Sequence, residues 1–259
     1  MTRRLETMRS FILAAVGIVL VLLTWQCAAL VIDMSLLVPT PAVVAQNMWA
    51  AASSGHLFAD IAVSLKRLLV ALALGMPVGA IVGCALGRWE VLDAAFNPLV
   101  RMFNAIPAIA LVPFFLLWFG ITEASRYALL FYTVSLTVLL SARQGVRSVP
   151  PLRLKAAATL GVTGIEAFRR IVLPSCVPAI IVGVRTAIGL AVMVVVAAEM
   201  LGAENGLGYL IMQARSHFIV ADMAVGVICL GLLSVLLDRV FNRAVETLLP
   251  RWSVRRRVR

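Results

Sequence analysis

An all-α, polytopic membrane protein with about six spanning helices is the fold class this sequence predicts. Three observations carry it. Hydrophobic residues make up 62% of the chain and charged residues 14%, with a mean hydropathy of +1.02, whereas a soluble domain is typically about half apolar and a quarter charged. The apolar residues fall in runs near the ~20 residues a helix needs to cross the hydrocarbon core. The basic residues cluster between those runs and at the two chain ends, as the positive-inside rule expects.

Ser10–Ile32 carries no charge and follows Arg3, Arg4 and Arg9. It exceeds the ~7–15 residues of a signal-peptide core, so it reads as a retained first span. Leu68–Gly87, Met102–Thr122 and the shorter Tyr127–Ala142 read as spans two to four. Ile171–Ala198, interrupted only by Arg185, is the fifth, and Met223–Leu237, extendable to Phe241, the sixth. Met34–Ala59 is also uncharged, but Pro39, Pro41, Ser53, Ser54 and Gly55 mark it as a surface loop with a short amphipathic helix. The chain thus divides into a tail and first span (1–33), a loop (34–59), a core (60–248) and a basic tail (249–259). A loop at 150–174 interrupts the core.

With the N-terminus in the cytoplasm both termini are inside, and 18 of the 23 Lys and Arg lie on that side. Lys66, Arg67, Arg126 and Arg215 fall outside, and Arg185 lies within a span. The net charge of +11 is therefore a topological signal rather than a nucleic-acid footprint. Cys27, Cys84, Cys176 and Cys229 lie singly in apolar runs and His56 and His217 have no partner at ligand spacing, so no metal site is expected. No catalytic constellation is visible. A phosphate-binding P-loop needs Gly-Lys before Ser or Thr, and both lysines, Lys66 and Lys155, follow a leucine. The chain is expected to bind no ATP in that way.

Between the fourth and fifth spans, Pro150-Pro151 stops one helix and Leu152–Leu160 reads as a short second one. Gly161 allows a turn, Ile165–Arg170 begins another helix, and Pro174 breaks or bends it. By physics alone this is either a compact projection or an amphipathic hairpin lying on the bilayer. Lys155-Ala156-Ala157, three residues, Gly161, nine residues, Ile171, one residue and Leu173-Pro174 resemble the cytoplasmic signature loop of bacterial binding-protein-dependent ABC importer permeases. That pattern begins Glu-Ala-Ala, so Lys155 departs from it. The likeness runs over about 37–252 and includes Leu37-Val38-Pro39-Thr40-Pro41, Ile106-Pro107 through Ala110-Leu111-Val112-Pro113, Leu117-Trp118-Phe119-Gly120 and Gly206-Leu207-Gly208-Tyr209-Leu210. These look like the nitrate, sulfonate, taurine and bicarbonate group.

The resemblance implies a permease subunit in a bacterial inner membrane, not an enzyme. It implies a second permease copy, identical or not, a periplasmic binding protein that delivers a small solute, and a separate ATPase that binds ATP and Mg. Coupling to that ATPase would fall to Lys155, Ala156, Ala157, Gly161, Phe168, Leu173 and Pro174, with Phe168 as a buried aromatic anchor. An ion-coupled secondary transporter is the rival reading; the loop argues against it, as does the lack of paired broken helices in two halves.

Three further features stand out. Gly75, Gly79, Gly83 and Gly87 recur every four residues, a smooth ridge on which a neighbouring backbone can pack. Pro77, Pro107 and Pro113 invite kinks. Arg185 and Glu199 are charges within the fifth span, about 21 Å apart at 1.5 Å per residue and on roughly one face. Either they line the pathway, with Arg185 drawing in an anion, or Arg185 reaches one surface and Glu199 sits at the other.

The topology makes a direct prediction. Cysteines placed at Ser54 and Ser216, in a background lacking the native four, should react with an impermeant thiol reagent added to intact spheroplasts. Labelling only after lysis would invert the topology.

Overall fold

The computed structural model describes residues 2–32 and 37–250 and is helical throughout apart from short connections. The basic tail's last residues lie outside the described part. Helix α1 (Thr2–Ile32) is followed by α2 (Pro41–Ser53), which lies in the loop region. The Thr40 hydroxyl caps α2 by accepting from Val43 N–H, and Pro41 occupies the first turn, where no N–H is needed. Then come α3 (His56–Arg88), α4 (Glu90–Ala105), a 3₁₀ turn (Ala108–Leu111), α5 (Val112–Phe119) and α6 (Glu123–Arg147). The chain continues through α7 (Pro151–Thr159), α8 (Gly164–Ala167), a π turn (Phe168–Val172), α9 (Leu173–Met200), α10 (Leu207–Ser216) and α11 (Val220–Leu248).

Among the described residues, five helical stretches are long and apolar enough to cross a membrane: Ala15–Ile32, α3, α6, Gly164–Met200 and α11. A sixth forms if α4 and the Ala108–Phe119 segment count as one span bent by 90°. Here the structure corrects the reading of Met102–Thr122 as one kinked helix. Pro107 drives the preceding residue, Ile106, into extended backbone (φ −82°, ψ 119°), which ends α4 outright. Pro113 sits in the first turn of α5 and breaks nothing. Pro77 is likewise carried inside α3 without ending it.

A second correction concerns Pro174. No break occurs there: Gly164–Met200 is one 37-residue helical stretch. The π turn just before Pro174 widens the ladder by a residue per turn, so the helix passes the proline without stopping.

Helix α6 is the axle of the bundle. Leu130, Val134, Val138 and Ala142 on it are fully buried, as are Leu68 and Ala71 on α3 and Ala187, Ala191 and Val195 on α9. The α3 glycines face α6 at backbone distance. A Cβ on Gly75 would lie 2.8 Å from Val134 Cγ1, and one on Gly87 2.6 Å from Val146 Cβ. At Gly79 and Gly83 a Cβ would run into the carbonyl oxygens of Ser135 and Leu139. On the other flank Gly145 meets Cys176 and Ala179, and Gly183 meets Ser141. A small second core of Cys84, Ala142, Val146, Val149, Val172 and Cys176 closes the end of the bundle nearest α7, with Phe168 packed on it.

Because backbone cannot give way at Gly79 and Gly83, replacing either by Leu should prevent α3–α6 docking, beyond the ~1–3 kcal/mol of ordinary overpacking. The purified protein should lose its monodisperse elution and thermal transition. Gly231→Leu, where a Cβ meets nothing within 4 Å, should keep both. Normal melting of the Gly83 variant would show that the ridge tolerates separation.

Candidate functional site: an exposed loop and a buried charge cluster

At one end of the bundle α7, Gly161 and α8 form a projection. Helix α7 closes with a Schellman cap: Gly161 is left-handed (φ 78°), its N–H bonds Ala158 O, and Val162 N–H bonds Ala157 O. A side chain at Gly161 would meet open space, so it is the positive φ, not crowding, that calls for glycine. Lys155 and Ala156 are exposed, while Ala157 turns inward. The apolar side chains that project from this surface are Leu152 (76% exposed), Leu160 (81%) and Ile165 (66%). Leu173 is exposed and Pro174 half-buried.

Phe168 is placed differently from the expected anchor. Its ring is half-buried against the second core, at the root of the loop rather than its tip. The reason is local: Phe168 opens the π turn and stands one position after buried Ala167, on the inward side of α8. It lines a cleft of about 350 Å³ with Gly87, Arg88, Leu154, Ala158 and Thr163.

At the opposite end lies a cluster that sequence reasoning missed. Arg67, 1% exposed, donates to Glu199 Oε1 at 2.8 Å, to Glu123 Oε2 at 2.9 Å and to the Asn205 carbonyl at 2.9 Å. Glu199, also 1% exposed, accepts from Ser64 Oγ at 2.8 Å and from Gly208 N–H at 2.8 Å. The 201–207 segment is pinned by further bonds. Gly206 N–H reaches Asp60 (2.7 Å), Leu207 N–H reaches Ser64 Oγ (2.9 Å), and Arg126 donates to the Gly202 carbonyl and to Glu123 (2.8 Å). Gly208 is needed for approach, since a Cβ there would lie 2.7 Å from Glu199 Cβ. Gly206 adopts φ 114° beside the same carboxylate. The three successive N–H groups of Gly206-Leu207-Gly208 thus bond Asp60, Ser64 and Glu199 in turn.

Residues 75–254 match the family model described as the binding-protein-dependent transport system inner membrane component. The chain belongs to that family. A putative aliphatic sulfonates transport permease of Escherichia coli (strain K12) is 33% identical over 92% of this chain and 89% of its own length. The taurine transport system permease of the same strain is 30% identical over 92% and 89%. The nitrate import permease of Synechococcus elongatus is 28% identical over 87% of each. A solved inward-facing MetNI methionine ABC transporter chain shares the fold, with a TM-score of 0.51 at 20% identity, covering 77% of this chain and 98% of that one. The protein is thus a multi-pass permease subunit of an ABC importer, and the secondary-transporter alternative falls away.

Within this permease the two charges of the fifth span do not come together. Arg185, 58% exposed in its side chain, pairs with Asp238 of α11 at 2.7 Å. Glu199 is spent on the buried cluster. Arg126, one of the four basic residues assigned to the outside, is buried and committed to Glu123 and Gly202. Arg215 is exposed on α10. Lysine and arginine counts could not show any of this. The available signal was Ser64 and Arg67, one turn apart on one helix face, with Glu199 closing an apolar run. At the α7 end a second ion pair was equally silent: Asp93 of α4 is bracketed by Arg143 and Arg147 of α6.

Glu199→Ala should destabilise the permease by about 3–5 kcal/mol, the usual cost of stripping one member from a buried pair. Glu199→Gln keeps an acceptor for Gly208 N–H and should lose less. Melting of both in detergent checks the order; equal melting to wild type would mean that the cluster is not structural.

Proposed function

We propose that this permease carries a small anion, of the sulfonate, taurine or nitrate kind, released to it by a periplasmic binding protein. Two permease copies and a separate ATPase that binds ATP and Mg complete the transporter. The α7 end faces the cytoplasm, in a bacterial inner membrane, with both termini on that side. Support for the substrate class comes from what the sulfonate, taurine and nitrate permeases are named for. Orientation rests on the distribution of basic charge.

The observation that carries the coupling role is the shape of the α7–Gly161–α8 projection. A capped, preformed turn leaves Leu152, Leu160 and Ile165 exposed on its surface. A surface of this kind needs a groove to cover it, and the ATPase supplies that groove. Lys155 and Ala156 lie on the exposed side, so the lysine faces the partner. Phe168 acts from beneath, by holding the loop's root on the second core.

Pull-down of the ATPase tests this. Truncating a central interface anchor costs on the order of 1–2 kcal/mol or more, about tenfold in association. Leu160→Ala with Ile165→Ala should thus cut ATPase recovery by at least about tenfold while the permease melts normally. Gly161→Val should do the same by distorting the turn, since β-branched residues tolerate positive φ poorly. Equal recovery and equal stimulated ATP hydrolysis would place the coupling surface elsewhere.

A further inference from the structure

The break between α4 and α5 poses a problem that the packing of the chain does not solve. Residues 106–111 are irregular or single-turn backbone, and Pro107, Ile109 and Ala110 are exposed. Their depth is fixed by the Tyr132 hydroxyl, which donates to the Phe103 carbonyl at 2.9 Å. Tyr132 to Thr137 lie about 14–21 Å along α6, at 1.5 Å per residue, so they sit near the middle of that spanning helix. Irregular backbone at that depth cannot face hydrocarbon. It must be covered by protein or line water.

The side chains around the break favour water. A cleft of about 280 Å³ opens there, and Asn104, Tyr132, Thr133 and Thr137 bring four polar side chains to it among apolar ones such as Pro107 and Met193. That is room for several waters. The Thr133 and Thr137 hydroxyls donate to Leu129 and Thr133 carbonyls of their own helix, so their lone pairs are left to accept from water rather than to bind an anion. Asn104 adds an amide able both to donate and to accept. No charged residue lines the cleft. A neutral, hydrogen-bonding wall can replace part of a small ion's hydration without holding it as a fixed counter-charge would.

We infer that the cleft between the α4–α5 break and the Tyr132–Thr137 face of α6 is a water-filled stretch of the solute path, where a small oxoanion passes with its water and meets one neutral donor, the Asn104 amide. The inference rests on the transport role proposed above and moves the path away from Arg185 and Glu199. Asn104 is the donor the anion meets, and the threonine hydroxyls order the water that travels with it.

Thiol accessibility in membranes carrying the whole transporter tests it. Single cysteines at Asn104, Thr137 and Met193, in a background without the native four, should react with a small cationic methanethiosulfonate reagent at least tenfold faster than Ile81→Cys and Val227→Cys. Those two controls are exposed positions on the spanning helices α3 and α11. Millimolar taurine, an alkanesulfonate or nitrate, supplied with the binding protein and ATP, should slow the reaction at Asn104→Cys several-fold. Reaction at the control rate would mean that lipid or protein covers the break, and would overturn the inference while leaving ATPase recovery, and so the coupling reading, untouched. Fast reaction that none of the three solutes slows would leave a water-filled cleft off the solute path and would also overturn it. As a functional readout, Asn104→Leu should depress uptake at least tenfold with stimulated ATP hydrolysis retained. Normal uptake by that variant would count against the cleft.

Discussion

The approach of α3 to α6 along four glycines is the constraint on which the rest of the molecule depends. Between helices in lipid there is little hydrophobic driving force, because acyl chains are as apolar as leucine; association relies on close packing and interhelical polar contacts. The glycine ridge allows two backbones to come within reach of each other over four successive turns, where carbonyls of Ser135 and Leu139 occupy the space a Cβ would need. Helix α6 then receives α9 on its other flank through Gly145 and Gly183. Once α6 is gripped on both sides its two ends are fixed, and each end holds ion pairs. Glu123 and Arg126 join the buried cluster at one, and Arg143 and Arg147 hold Asp93 at the other.

Those ion pairs are better understood as consequences of the packing than as its cause. A buried pair must recover the desolvation of both charges and often only breaks even against apolar substitutes. Arg67 and Glu199 recover it through number: the guanidinium reaches two carboxylates and a carbonyl, and the carboxylate receives a hydroxyl and a backbone N–H as well. That geometry exists only because the start of α3, the start of α6 and the end of α9 are already close. What the cluster adds is direction. It ties the irregular 201–207 segment to one rigid position and fixes where α10 starts.

Composition and run length made the fold class, the number of spans and the short α2 legible, because both measure what the solvent demands of the whole chain. The glycine spacing was legible for a similar reason: a four-residue period is a helix face, whatever packs on it. What could not be read was pairing. Arg67 looked like an outside charge because it borders an apolar run, yet its partners lie 56 and 132 residues away. Likewise, Phe168 reads as an interface aromatic, while the π turn sets its ring, half-buried, against the small second core. Pro107 and Pro113 have the same chemistry, but only the first ends a helix, because the second occupies a first turn. The family resemblance located the loop; only coordinates could show which of its side chains face out.

One helical stretch joins the two ends that these features define. From Gly164, at the exposed loop, to Met200, beside the charge cluster, the chain runs 37 residues without interruption. Packing on α6 holds most of it: Ala187, Ala191 and Val195 are fully buried and Gly183 abuts Ser141. Its one departure from α geometry is the π turn, which lies at the loop's root, below the glycine contacts. A π turn is held by fewer well-aligned hydrogen bonds than an α turn and is often where a helix yields. Force applied to Leu160 or Ile165 therefore reaches that turn first, through α8 and the Phe168 ring. Beyond it the helix is continuous past the level of the α4–α5 break, which Met193 and Val194 touch. The same helix that anchors the loop thus forms one wall of the cleft at mid-depth and carries Glu199 five residues after Val194, its last residue on that wall. A displacement of α9 at the loop therefore runs along one continuous helix, past a cleft wall where Met193 is exposed and Val194 buried, to Glu199, which Arg67, Ser64 and the Gly208 N–H hold in place.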